Sequence, residues 1–245
     1  MNNLYYNDRT PFYFIATIFL LITIILSLVG TFSTQNNSSD FFPMGGYYNN
    51  TFVNDNTIID KLCWYLSQLT HHTLLLLFFY FFMALLKKRS VKFFKIIAPL
   101  ALTISVLYFF ILFPKQKLKL HQLPFTNFSS HFMIIVLVIG EYLYIPSYSF
   151  QETTNCLVFI ITALLSIFIN YFLRGVWSYD MIKLDEIKGW KLVTMSTIVM
   201  YFFSVLCFYF KSKETIFTTN ITQYGYFISS MINLIFTYCF ISINN

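Results

Sequence analysis

The sequence predicts an all-α, polytopic membrane helix bundle of six to seven transmembrane helices. Of its 245 residues, 57% are hydrophobic and only 11% are charged. Its apolar runs repeatedly reach the roughly 20 residues that a helix needs to cross the hydrocarbon core of a bilayer. Polar or Pro- and Gly-bearing stretches separate these runs. We therefore treat residues 1–245 as a single integral membrane domain.

The lengths of the apolar runs and the breakers between them place the individual spans. The first run is long and has no small-residue cleavage site after it, so we expect a retained helix rather than a signal peptide. No internal repeat is visible, and the stretch 31–60 is the only long polar insertion. The predicted spans are 11–30, 62–86, 96–113, 128–145, 154–173, 192–210 and 222–243.

Basic residues and glycosylation motifs bear on the orientation of these spans. The basic turn 87–95 predicts a cytosolic loop after the second span. Acceptor motifs at Asn36, Asn37 and Asn49 favour a lumenal face for the preceding loop, which agrees with that orientation. Over seven spans, the 16 Lys and Arg residues are shared equally between the two faces, so their total does not decide the orientation.

Composition also limits the possible cofactors and partners. Lys and Arg at span ends beside anionic headgroups account for the net charge of +6, so membrane lipids are the expected partners and nucleic acid is not. The four cysteines lie singly in apolar segments without CxxC spacing, which indicates neither a zinc site nor a disulfide framework. The sequence also has no nucleotide-binding loop. We predict no metal and no cofactor.

His131 is the most informative residue because it opens an apolar stretch. An ionisable side chain inside a membrane helix is costly unless it is paired, hydrated or functional. Ser67 lies about 8 Å and His131 about 5 Å below the start of their predicted spans, which begin on the same face. A hydroxyl and an imidazole at one depth are a candidate nucleophile and base. The alternative is ordinary hydrogen bonding at a helix contact.

The polar patch around Ser67 offers further candidates. His71 lies four residues after Ser67, so the two share a helix face and can interact locally. Thr70 and His72 extend the patch, which is also typical of a water-lined cavity or a packing seam. A haem or metal site of His71, His72 and His131 lacks the usual carboxylate or thiolate ligands.

Two further residues flank His131 on its span. Glu141 is ten residues further on, about 15 Å deeper along the helix, so we expect that it cannot orient the imidazole directly. Asn127 is one turn before His131 and can either orient it or donate to a developing oxyanion. It can equally mark the interfacial start of the helix.

Several short motifs, in order over residues 61–180, carry a resemblance to a known family. They are Asn127, His131 and Glu141 at the spacing Asn-x3-His-x9-Glu, Gly175, Trp177 and Tyr179 as Gly-x-Trp-x-Tyr, and the triplets Tyr65-Leu66-Ser67 and Phe113-Pro114-Lys115. In the order and spacing of these motifs, the chain resembles the androgen-induced gene product family of multi-span threonine hydrolases. Ser67 stands where that family has Thr, Thr70 where it has an acidic or amide residue, and Asp180 where it has Pro. The seventh span exceeds the usual six.

The resemblance implies a hydrolase of lipid esters, in known members esters of hydroxy fatty acids. Ser67 is then the nucleophile, with Thr70 as its alternative, and His131 is the base. Trp177 and Tyr179 are expected near the substrate entrance, although interfacial anchoring also explains them. The sequence lacks the Gly-x-Ser-x-Gly elbow of α/β-hydrolases. The resemblance favours the endoplasmic reticulum or another endomembrane, or else the plasma membrane.

A non-enzymatic carrier or channel is the competing prediction. Glu141, His131 and His71 would then line a polar path across the bundle. Broken helices or a paired charge network would favour this function. A seven-helix receptor is supported by the helix count alone.

Overall fold

The computed structural model describes residues 9–33, 58–115, 125–145, 149–175, 177–179 and 182–211, which form an all-α bundle as predicted. The predicted seventh span at 222–243 and the motifs at Asn36, Asn37 and Asn49 lie outside these residues. Two π-helical turns, π1 (Tyr108–Leu112) and π2 (Ser129–Met133), and a 3-10 helix (Phe150–Cys156) interrupt or extend the α-helices. The α-helices are α1 (Thr10–Ser33), α2 (Ile58–Ser67), α3 (Leu69–Leu85), α4 (Val91–Leu107), α5 (Phe113–Lys115), α6 (Phe125–Phe128), α7 (Ile134–Tyr142), α8 (Leu157–Arg174) and α9 (Ile187–Lys211).

The helices are long and apolar enough for a membrane protein. Within the described residues, five helical stretches can each cross a bilayer, and α2 with α3 makes a sixth if the bent pair is one span. Large apolar side chains such as Ile15, Val29 and Phe172 are exposed on the outside of the bundle. Lipid, rather than water, is the solvent that such a surface requires.

The third span begins earlier than its apolar run predicts. Ser90 precedes α4, and its hydroxyl accepts a hydrogen bond from the N–H of Phe93 at 3.4 Å. This contact caps the helix at Val91 rather than at residue 96. The basic residues Lys92 and Lys95 therefore lie within the helix, and Lys95 pairs with Glu152 at 2.6 Å.

The second predicted span, residues 62–86, is broken. Helices α2 and α3 are bent by 74° at Gln68, whose backbone is extended (φ −82°, ψ 124°). Ser67 is therefore the last residue of α2 instead of lying inside a straight span. The predicted depth of Ser67 assumed a continuous helix, and the bend contradicts that assumption. The bend contains neither Pro nor Gly, so the usual sequence signal of a kink is missing.

Close packing of α1 on α3 and of α9 on α4 forms the centre of the bundle. Lipid tails are as apolar as leucine, so membrane helices associate through close packing rather than through a hydrophobic driving force. Small side chains permit the necessary approach of the backbones. The fully buried small residues include Ala16 on α1, Ala84 on α3, and Ala98 and Ala101 on α4.

A buried carboxylate joins three parts of the bundle at one membrane face. The Oε2 atom of Glu141 accepts a hydrogen bond from Nη1 of Arg9 at 2.6 Å. Its Oε1 atom accepts from Nε of Arg89 at 2.8 Å and from the Tyr80 hydroxyl. Arg9 precedes α1, Arg89 lies in the turn between α3 and α4, and Glu141 is near the end of α7. We call these four residues the Glu141 cluster.

The aromatic ring of Tyr144 also covers the Glu141 cluster. The guanidinium carbon of Arg9 lies 3.7 Å from the centre of that ring, and Nη2 of Arg9 donates to the carbonyl of Gly140 at 2.8 Å. Buried charges are tolerated when they are paired and hydrogen-bonded, and their removal leaves uncompensated partners. The cluster therefore fixes the chain ends of α1, α3 and α7 relative to one another.

We expect Glu141→Gln to destabilise the protein strongly, because it leaves the buried guanidinium of Arg9 and the partly buried one of Arg89 without a carboxylate. Removing one partner of a buried ion pair costs about 3–5 kcal/mol. The thermal midpoint of the detergent-solubilised protein, followed by fluorescence-detected size exclusion, measures this effect. Glu186→Gln is the matched control, since Glu186 is exposed. Equal midpoints for the two variants would show that the cluster does not hold the bundle together.

Candidate active site

A largely apolar cavity lies between α3, α4, π1, π2 and the start of α9. Its volume is about 530 Å³ with the open mouth included. Small-molecule pockets are typically apolar with a few converging polar groups, and the lining of this cavity has that composition. The lining residues are Leu69, Thr70, Ile104, Leu107, Tyr108, Ile111, Leu112, His131, Tyr179, Ile182, Leu192 and Ser196.

Two π-helical turns supply the aromatic wall of the cavity. Tyr108 begins π1 and His131 lies within π2. Their rings stack with centres 3.7 Å apart and an angle of 3° between their planes. His131 is 5% exposed, and its Nδ1 atom has no hydrogen-bond partner in the described part of the chain. Because π-turns occur often at functional sites, and a buried unpaired nitrogen is costly, His131 is the leading functional candidate.

Tyr179 and Ser178, which follow α8, contact the break between α2 and α3. The hydroxyl oxygen of Tyr179 accepts a hydrogen bond from the N–H of Leu69 at 2.8 Å. The side-chain amide of Gln68 donates to the carbonyl of Ser178 at 2.9 Å. Since the first N–H groups of a helix have no partner within it, Tyr179 stabilises the start of α3. These contacts place the segment after α8 over the cavity.

The two histidines of the polar patch around Ser67 contact carbonyl groups that the break exposes. The carbonyls of Tyr65 and Leu66 face the side chains of His71, at 2.9 Å, and of His72. In a continuous helix those carbonyls would accept from backbone N–H groups four residues further on. The patch, which is also typical of a water-lined cavity or a packing seam, therefore caps a helix break, and its Thr70 lines the cavity.

The structure separates Ser67 from the cavity and places Thr70 in it. Ser67 is 1% exposed, and its hydroxyl donates to the carbonyl of Trp64 at 2.8 Å. Ser67 is not among the lining side chains, whereas Thr70 and His131 line the same cavity. No hydrogen bond joins Thr70 to His131 among the residues that the structure describes. Of the two predicted nucleophiles, the alternative one shares a cavity with the predicted base.

The predicted local pair of Ser67 and His71 does not form. The bend at Gln68 interrupts the helix between them, and the Nε2 atom of His71 lies 2.9 Å from the hydroxyl of Ser27 on α1. Sequence reasoning did not identify Ser27, because a serine inside an apolar run that predicts an ordinary span carries no signal of its own. Only the packing of α1 on α3 brings it to His71.

The other predicted site residues have separate positions. Asn127 has a buried Nδ2 atom without a partner in the described chain, but its side chain does not line the cavity. Glu141 belongs to the cluster described above, and its partners are Arg9, Arg89 and Tyr80 rather than His131. Within the described residues, no group of three or more His, Cys, Asp or Glu residues is arranged to hold a metal ion.

The Gly-x-Trp-x-Tyr motif combines structural and cavity-lining residues. Gly175 ends α8 in the left-handed conformation, with φ of 70°, which glycine adopts without strain. The ring of Trp177 stacks on Tyr171 at 4.1 Å and is not among the cavity-lining side chains. Tyr179 does line the cavity. Of Trp177 and Tyr179, which were both expected near the substrate entrance, only Tyr179 therefore lines the cavity.

The phenol of Tyr179 remains a neutral hydrogen-bond donor. Burial raises the pKa of Tyr179 well above its ordinary value of 10.0, although the adjacent backbone N–H groups act in the opposite direction. Its oxygen already accepts from Leu69. The hydroxyl proton is therefore retained at physiological pH beside Thr70 and the cavity.

We expect Tyr179→Phe to destabilise the start of α3, since the N–H of Leu69 loses its acceptor. A buried donor left without a partner costs about 1–3 kcal/mol. Tyr171→Phe is the matched control, because it also removes one phenolic hydroxyl but leaves the capping contact intact. Hydrogen exchange of the amides at residues 68–72 measures the effect. Equal protection in the two variants would contradict the capping role.

No protein-family model matches the chain, and comparisons with curated proteins and with solved structures give no significant match. The resemblance to the androgen-induced gene product family therefore stays a hypothesis based on the motifs quoted above.

Proposed function

We propose that the protein is a membrane-embedded hydrolase of lipid esters, with Thr70 as nucleophile and His131 as base. The observation that carries this proposal is the shared apolar cavity, in which a hydroxyl, a buried imidazole and a phenol converge. Hydroxyl groups are weak nucleophiles until a neighbouring base accepts their proton. In enzymes without bound substrate, the contact between the two groups is often looser than a hydrogen bond.

The proposed reaction requires no metal or cofactor. The Thr70 hydroxyl oxygen attacks the ester carbonyl carbon while His131 takes the hydroxyl proton. The bond from that carbon to the alcohol oxygen then breaks, and His131 returns the proton to the leaving alcohol. Attack of water on the acyl-threonine, assisted by the same imidazole, releases the fatty acid and restores Thr70.

Tyr179 is the proposed donor to the oxyanion. Its hydroxyl lies against the backbone of Leu69 and Thr70, next to the nucleophile, and it keeps its proton at physiological pH. A donor placed where negative charge develops contributes more than one that binds only the substrate. Asn127, Ser67 and Glu141 have no role in this proposed chemistry.

The surroundings of the cavity fit an apolar substrate that enters from the bilayer. Most of the lining side chains are aliphatic, including Ile104, Ile111 and Leu192. Membrane lipids are then the partners and a lipid ester is the substrate. By the family resemblance, the substrates are fatty acid esters of hydroxy fatty acids and the location is the endomembrane system, the endoplasmic reticulum in particular, or the plasma membrane.

A carrier is a second candidate, which two observations favour. Helices α2 and α3 form a broken span, and a buried charge network surrounds Glu141. Carriers commonly bind their substrates at discontinuous helices. However, the Glu141 carboxylate is already occupied by two arginines and Tyr80, and among the described spans only one is broken. Hydrolysis therefore fits the described residues better.

We expect Thr70→Ala and His131→Gln to lower ester hydrolysis by about 10²–10⁴-fold, because each removes a group that transfers or uses the reacting proton. The assay uses a fluorogenic fatty-acyl ester and a hydroxy-fatty-acid ester with membranes that express equal amounts of each variant. Thr73→Ala is the matched control, since the Thr73 hydroxyl lies one turn further along α3 and donates to the carbonyl of Leu69 at 2.9 Å.

Two further variants separate the alternatives in the same assay. Thr70→Ser retains a hydroxyl and should keep measurable activity. Activity that survives in Thr70→Ala but disappears in Ser67→Ala would return the nucleophile to Ser67. Hydrolysis no higher than in vector membranes, together with uptake of a solute into reconstituted vesicles, would support the carrier and overturn the hydrolase.

A further inference from the structure

A second hydroxyl–imidazole pair lies outside the cavity, between α1 and α3. The hydroxyl oxygen of Ser27 is 2.9 Å from Nε2 of His71. Ser27 is 7% exposed, and His71 is partly buried in the first turn of α3. Neither residue lines the cavity that contains Thr70 and His131. The proposed hydrolysis at Thr70 leaves this contact unused.

The hydrogen bonds of His71 determine which of its nitrogens carries the proton. Its Nδ1 atom lies 2.9 Å from the carbonyl oxygen of Tyr65, which can only accept. In the neutral imidazole, Nδ1 is therefore the donor and Nε2 is an acceptor. The Ser27 hydroxyl then donates to Nε2. This is the proton arrangement of a serine nucleophile with its histidine base and a third group that orients the base.

Aromatic contacts fix the imidazole in this orientation. The ring of Tyr65 stacks on His71 with centres 3.8 Å apart and an angle of 12°. The ring of Trp64 meets it edge-on at 6.0 Å. Tyr65, Trp64 and the Tyr65 carbonyl thus hold the His71 ring in one orientation before a substrate binds. The entropy cost of orienting the base is then not added to the reaction barrier.

The hydroxyl of Tyr65 is a further polar group beside Ser27. It lies close to Ser27, and Tyr65 is only 2% exposed. The hydroxyl has no partner that meets hydrogen-bond geometry within the described chain. Buried polar groups are normally satisfied, so an unpaired donor beside a nucleophile needs an explanation. It is placed to donate to the oxyanion that forms when Ser27 attacks a carbonyl.

From these contacts we infer that Ser27 is a second nucleophile, with His71 as its base, that accepts acyl groups from carboxylic esters of membrane lipids. The Ser27 oxygen attacks the ester carbon, and its proton passes to Nε2 of His71. The bond from that carbon to the alcohol oxygen breaks, the alcohol leaves with that proton, and an acyl-serine forms. Ile25 and Leu26, which precede Ser27, are exposed on the surface of α1, whereas Ser27 itself is 7% exposed. The acyl group must therefore reach Ser27 from the neighbouring apolar surface of α1.

Phosphonylation of the full-length protein in membranes tests this inference. A small dialkyl fluorophosphonate reacts with an activated hydroxyl: the serine oxygen bonds to phosphorus, fluoride leaves and the base takes the proton. Mass spectrometry of the digested protein identifies the modified residue. We expect an adduct on Ser27 that is absent in Ser27→Ala and forms about 100-fold more slowly in His71→Gln. The glutamine amide can still donate to the Tyr65 carbonyl but cannot take the proton.

The control is Ser204, which is also buried, at 0% exposed against 7% for Ser27, but donates to the carbonyl of Thr153 at 2.8 Å instead of to a histidine. No adduct on Ser27 of the folded wild type, or an equal rate in His71→Gln, would overturn the inference and leave a structural hydrogen bond. If His71→Gln does not fold, an adduct on wild-type Ser27 but not on Ser204 supports the inference. The Ser27 adduct should also form in Thr70→Ala, so this test is independent of hydrolysis at Thr70.

Discussion

The arrangement of the site depends on how the break at Gln68 satisfies its backbone. Inside a membrane, each unpaired N–H or carbonyl group costs several kcal/mol, so a helix can break only where other groups replace its hydrogen bonds. Tyr179 accepts from Leu69, and His71 and His72 contact the freed carbonyls. The bend turns Ser67 away and starts α3 with Thr70 at the cavity. Loss of these contacts would therefore change the site as well as the helix.

The Glu141 cluster provides a second constraint near the other end of the spans. It ties the start of α1, the turn before α4 and the end of α7 together through one carboxylate. Two guanidinium groups and a phenol already surround that carboxylate, so its stabilising role explains the intramembrane acid without a functional one. His131 and Glu141 therefore have different roles although they share a span. Glu141 stabilises the bundle near one end of that span, and His131 belongs to the candidate site near the other end.

The sequence was sufficient for the fold class and, within the described residues, for five spans, or six if α2 and α3 form one, because length and apolarity alone determine whether a helix can cross a bilayer. It also singled out His131, Thr70 and Tyr179, which the structure brings to one cavity. The bend at Gln68 was missed since it has no Pro or Gly, and Ser178 and Tyr179, which contact it from the segment after α8, lie 110 residues further along the chain. For the same reason, the position of Ser67 could not be predicted from a straight helix. Ser27 had no signal in the neighbouring sequence, because only the packing of α1 on α3 brings it to His71.

The two hydroxyl–imidazole pairs share one turn of α3. Successive residues of an α-helix point about 100° apart, so Thr70 and His71 face different neighbours. Thr70 faces the cavity with His131, while His71 faces Ser27 on α1. The first pair has a cavity but no direct hydrogen bond, and the second has the hydrogen bond but does not line that cavity. Nucleophilic catalysis needs both proton transfer and room for a carbonyl group. The Thr70 pair therefore depends on substrate to bring its groups together, whereas the Ser27 pair depends on an acyl group reaching a hydroxyl that is only 7% exposed.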